Sequence, residues 1–87
     1  MRIALLIDSP PNARYHVATI EAIEHAATAL DLAVDLRVIR TDSNSLADEV
    51  RSTAGVVIGP GSPYRDEFAV WDTVRSARER GVPLVGT

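Results

Sequence analysis

Four short apolar runs alternate with three segments of helical periodicity, and this alternation restricts the fold more than any other feature of the chain. The first run, residues 3–7, reads Ile-Ala-Leu-Leu-Ile without a polar interruption. A run apolar on both faces predicts a strand covered by helices on both sides, as in a parallel sheet. Val34, Leu36 and Val38 alternate with Asp35 and Arg37, a period of two that predicts a strand with one polar face near a sheet edge. Residues 55–58 and 83–87 supply two further short strands. Between the first two strands, Val17, Ile20, Ile23, Ala27 and Leu30 recur in steps of three and four. That spacing predicts a helix over about 13–30, with Glu21 and Glu24 off the apolar stripe. Ser45-Leu46-Ala47-Asp48 has the form of a capping box with Asp in the Glu place, predicting a short helix over 46–51. Asp66 is placed to cap a third helix running to about Arg80, with Phe68, Trp71, Val74 and Ala77 expected inward. Trp71 is read as core, or as a dimer surface if the helix is left uncovered. Arg75, Arg78 and Arg80 crowd the end where the helix dipole favours positive charge. Gly81 suits the left-handed stop position, and Pro83 prevents continuation. The predicted class is therefore α/β, with the order β-α-β-α-β-α-β and a parallel sheet flanked by helices through right-handed crossovers. Four strands are few for a doubly wound sheet, so part of a larger domain is expected.

Composition narrows the chemistry. The 87 residues contain no cysteine, which excludes disulfides, thiolate zinc sites and a cysteine nucleophile among them. All nine basic residues are arginines, set against twelve acidic ones for a net charge of −3. A mildly acidic chain without a basic stripe predicts no nucleic-acid partner. Without lysine, Schiff-base chemistry and a Walker-type phosphate lysine are excluded. No run approaches the ~18 apolar residues needed to span a bilayer, and the N-terminus lacks a signal peptide's cleavage site. A cytoplasmic protein with no membrane partner, metal or cofactor is expected.

In open α/β sheets, ligands bind beyond the carboxyl ends of the strands. Residues 8–12, residues 59–65 and Thr87 fall at such ends. Gly59-Pro60-Gly61-Ser62-Pro63 forms a stiff loop in which only glycine permits close approach or positive φ. Its N–H groups either point into a cleft as an oxyanion hole or belong to a loop that merely turns the chain. Tyr64 and Arg65 are candidate substrate contacts, with neutral exposed loop residues as the alternative. Asp8 is read as making a helix-entry or loop hydrogen bond rather than as a ligand. His16 is expected to be partly exposed, in a structural role or touching a ligand, and His25 to be structural or on the surface. The glycine loop is not a dinucleotide fingerprint: Gly59-x-Gly61 lacks a third glycine and follows the third strand.

Three segments carry a family resemblance. Residues 59–63 look like the glycine-proline loop of class I glutamine amidotransferases. Tyr15-His16-Val17-Ala18-Thr19-Ile20-Glu21-Ala22-Ile23-Glu24-His25-Ala26 is similar to the first helix of the CTP synthase glutaminase domain. Ser76-Ala77-Arg78-Glu79-Arg80-Gly81-Val82-Pro83-Leu84-Val85-Gly86 is similar to a later run of that domain. The chain thus resembles the class I glutamine amidotransferase family, most closely stand-alone proteins similar to the CTP synthase glutaminase domain. It departs from that pattern at Ser62, in place of a second glycine, and over Tyr64–Phe68, in place of a glycine-rich basic stretch. The resemblance implies that residues 1–87 are the N-terminal half of an incomplete, flavodoxin-like domain. In such a domain the Gly61 N–H helps bind the oxyanion, and Gly59, Ser62, Tyr64 and Arg65 flank the substrate. The complete domain would hydrolyse glutamine to glutamate and ammonia through a cysteine thioester, with a histidine and a glutamate completing the triad. The cysteine is expected just past Thr87, so these 87 residues alone are expected to be inactive, and to self-associate or need a complementary chain. The alternative is a non-catalytic α/β module that binds a small metabolite or a protein partner.

Overall fold

The computed structural model describes residues 1–8, 14–59 and 64–86, apart from the side chain of Tyr15. Its elements follow the predicted order: β1 (Arg2–Leu6), α1 (Arg14–Ala29), β2 (Asp35–Ile39), α2 (Leu46–Arg51), β3 (Gly55–Ile58), α3 (Glu67–Arg80) and β4 (Leu84–Gly86). All pairings are parallel, in the spatial order β2-β1-β3-β4. β1 is central, and Ala4, Leu5, Leu6 and Ile7 are each no more than 1% exposed, as the uninterrupted apolar run requires. β2 lies at the edge, as its alternation predicts.

The register sorts side chains onto two faces. Ala4, Leu6, Ile39, Val56 and Ile58 pack with Leu46 and Val50 of α2 and Val70 of α3, and Val82 and Leu84 join them. The opposite face carries Leu5, with Val38 and Val57 as its register partners and Val85 beyond Val57. Only α1 covers that face among the described helices. Four strands about 4.8 Å apart are wider than one helix of about 10 Å. α1 therefore leaves Val38 at 41% and Val85 at 59% exposure on either flank. Its own stripe is correspondingly half-buried at Ile20, Ile23 and Ala27, with Leu30 exposed.

The helix ends are set by local chemistry. The Asp66 side chain accepts from the Ala69 N–H at 3.0 Å and starts α3. Gly81 stops it at φ 69°, with Gly81 N–H donating to Arg78 O and Val82 N–H to Ala77 O, the paired bonds of a Schellman ending. α1 ends in the same way without glycine: Asp31 adopts φ 55°, and the Asp31 and Leu32 amides donate to Thr28 and Ala27 carbonyls.

Three expectations need correction. Phe68 and Trp71 do not face inward; they are 87% and 69% exposed, and Val70 and Thr73 turn to the sheet in their place, beside Ala77, which faces inward as expected. Small side chains at the contact let the helix axis approach the strands, which two aromatics would hold off. Ser45 precedes α2 but makes no side-chain cap, because its hydroxyl lies 3.0 Å from that of Ser43. His16 is fully buried rather than partly exposed.

Candidate functional site

The carboxyl ends of β1, β2 and β3 meet at one rim. β2 lies to one side of β1, and β3 and β4 to the other. The order therefore changes direction between β1 and β3, where open sheets form their binding crevice. Asp8 leaves β1 at this point and holds the rim together. Its Oδ1 accepts from the Thr41 N–H at 2.8 Å. Its Oδ2 accepts from the Thr41 hydroxyl at 2.7 Å and from the Arg65 N–H at 2.7 Å. The Thr41 hydroxyl oxygen in turn accepts from the Asp66 N–H at 3.0 Å, and Asp66 caps α3. One carboxylate thus joins the segments that follow β1, β2 and β3. Partial burial pushes the Asp8 carboxyl up, but the hydrogen bonds from Thr41 and Arg65 and the Arg65 charge outweigh it. They hold the group below the usual carboxylate range.

Gly59 and Tyr64 bracket the glycine loop. Gly59 is buried, and its N–H donates to Leu6 O at 2.9 Å, continuing the sheet ladder. Its carbonyl accepts from the Tyr64 hydroxyl at 3.1 Å, so the phenol closes the base of the loop. A Cβ on Gly59 would sit 3.2 Å from Ile7 Cγ1 and 3.3 Å from Leu6 O, and glycine is needed for this close approach. Arg65 contributes its backbone N–H to Asp8, and its side chain is exposed. Gly61 and Ser62 lie outside the described residues, as does Thr87. Their flanks are placed, however: Ile58 is the register partner of Gly86. The carboxyl ends of β3 and β4 therefore lie side by side at this rim.

His16 sits beneath the rim in the first turn of α1, on the Ile7 side of the sheet; a Cβ on Gly59 would lie 3.9 Å from its Nδ1. Burial depresses its pKa, so the imidazole is neutral at pH 7. His25 is on the exposed surface of α1. Among the described residues no group of three His, Cys, Asp or Glu side chains is arranged to hold a metal ion.

The sequence reading missed Thr41, which is 1% exposed and central to the Asp8 network. The one available signal was its position, as the first hydroxyl beyond the carboxyl end of β2.

The fold has a solved counterpart. The glutaminase domain of the Trypanosoma brucei CTP synthase, solved with bound acivicin, matches 98% of this chain with a TM-score of 0.77 at 17% identity. This chain has the fold of part of a CTP synthase glutaminase domain. It spans 35% of the length of that solved chain. No family model and no curated protein matches the sequence. Within this glutaminase-domain fold, Asp8, Thr41, Gly59, Tyr64 and Arg65 share the rim at the strand ends, whereas His25 lies away from it.

Proposed function

We propose that this chain is part of a glutamine amidotransferase-like domain that, when complete, hydrolyses glutamine. A cysteine thiolate attacks the side-chain amide carbon, and ammonia leaves as the thioester forms. Water then cleaves the thioester to release glutamate and restore the thiol. The 87 residues supply the scaffold and the loop that presents the Gly61 N–H to the oxyanion of each tetrahedral intermediate. Ser62, Tyr64 and Arg65 flank the bound glutamine, and Gly59 seats the loop on the sheet. The observation that carries this reading is the pairing of Ile58 with Gly86 within a glutaminase-domain fold. The ends of β3 and β4 are neighbours, and in this reading the glycine loop continues from the first and the nucleophile from the second. The reading places the protein in the cytoplasm; among the described residues no helix is long and apolar enough to cross a membrane. It also gives the chain a complementary segment or a second copy along β4, an edge strand with Val85 exposed.

The test is ammonia release from glutamine by the product of the whole reading frame, compared with the 87-residue chain. The short chain is expected to show none above background. The longer product is expected to turn over, and Gly61→Pro, which removes one amide donor, to lower kcat roughly 10²–10³-fold. Turnover by the short chain, or a reading frame without cysteine after Thr87, overturns the proposal. The absence of cysteine from these residues favours a second reading, a non-catalytic module binding a small metabolite or a protein partner. An inert full-length product that retains binding by calorimetry would select it.

A further inference from the structure

The outer face of α3 carries two exposed aromatic side chains beside an apolar cavity. Phe68 and Trp71 stand out from the first two turns at 87% and 69% exposure. To one side of Trp71 lies a cavity of about 180 Å³ lined by Tyr64, Glu67, Val70, Trp71 and Val74. To the other side Phe68, Trp71, Asp72 and Arg75 line a second groove. The first cavity is smaller than the roughly 300–1,000 Å³ of small-molecule sites, and its lining suits a single apolar side chain. Charge is graded along the same helix: Glu67 is in the first turn, and Arg78 and Arg80 are in the last.

We propose that this face pairs with a second copy of the chain, α3 lying antiparallel on α3 about a two-fold axis at Trp71. In such an isologous contact, residues equally spaced on either side of the axis face each other. Trp71 then stacks on the partner's Trp71. Phe68 falls opposite the partner's Val74 and enters the cavity between Trp71 and Val74. Glu67 falls opposite the partner's Arg75. The pairing sets Glu67 against Arg75 twice, once on each side of the axis, whereas a parallel pairing would set like charges together. Arg75 also pairs with Asp72 of its own helix. The inference rests on the outer face of α3 and is independent of the proposed chemistry at the strand ends.

The area is modest. Two aromatic side chains of roughly 150–250 Å² each and their rim fall short of the ~800 Å² per partner of a standard interface. The dimer is therefore weak and depends on concentration. Trp71 is the single tryptophan, so its emission reports the contact directly. Sedimentation and Trp71 fluorescence of the chain from about 1 to 200 micromolar should show a monomer–dimer equilibrium with a blue shift as dimer forms. Phe68→Ala is expected to weaken association at least about tenfold. Arg75→Glu should weaken it about fivefold, and the double variant Glu67→Arg/Arg75→Glu should recover most of that loss. These side chains are exposed, so circular dichroism is expected to show folded variants. A monomer with constant Trp71 emission throughout the range would leave this face to another occupant and overturn the proposal. Association unaffected by Phe68→Ala, or a charge swap without recovery, would overturn it as well.

Discussion

At the scale of single residues, two buried or half-buried groups give the molecule an acid-sensitive rim. His16 is fully buried, and its pKa is depressed by that burial, whereas an unfolded chain titrates its histidine near 6.5. Below about that pH the unfolded state takes up a proton that the folded state refuses, so stability falls as the pH falls. Asp8 adds a second loss at lower pH. Its folded pKa is also depressed, so its contribution is present above the usual carboxylate range and disappears as the pH falls through the folded value. Urea midpoints measured from pH 8 down to pH 3 should therefore decline in two stages. His16→Asn is expected to flatten the first stage, which is limited to about 1.4 kcal/mol per pH unit, and leave the second. An unchanged first stage in that variant would place the acid sensitivity elsewhere.

At the scale of elements, α1 and α3 end with the same backbone geometry but different residues. Gly81 accepts φ 69° without strain, and a Cβ there would meet nothing within 4 Å. Gly81→Ala therefore tests backbone strain alone and should cost about 1 kcal/mol. Asp31 holds φ 55° with a side chain attached. Asp31→Gly is expected to raise stability, by roughly 0.5–1 kcal/mol. Opposite shifts of the thermal midpoint in the two variants would confirm that both helices stop through the left-handed position. Shifts of the same sign would not fit it.

At the scale of the whole molecule, the sheet is protected unevenly. β1 is hydrogen-bonded on both sides and packed between helix layers, whereas β4 is a three-residue edge strand with an exposed Val85. Amide exchange should be slowest in β1 and at least about tenfold faster in β4. Equal protection of β4 at low protein concentration would mean that its edge is covered. The Asp8 network crosses this gradient, linking the well-ordered end of β1 to the start of α3. Arg65 is thereby tied to the end of β1, and Tyr64 to Gly59 at the end of β3, rather than either to an edge strand.

The sequence by itself determined the order of the seven elements, their ends to within a residue or two, and the edge position of β2. These follow from apolar periodicity and capping chemistry, which act over a few residues. It also placed Asp8 as a hydrogen-bonding loop residue, because a lone carboxylate after a strand has few other uses. The tertiary structure decided which stripe of α3 faces the sheet, since periodicity allowed either Phe68 and Trp71 or Val70 and Thr73 to turn inward. Close approach to the strands selected the smaller set. It likewise buried His16 beneath Gly59 and brought Thr41 to Asp8, contacts between segments distant in sequence. Only the parallel crossovers, which return each strand's carboxyl end to the same rim, could make those neighbours.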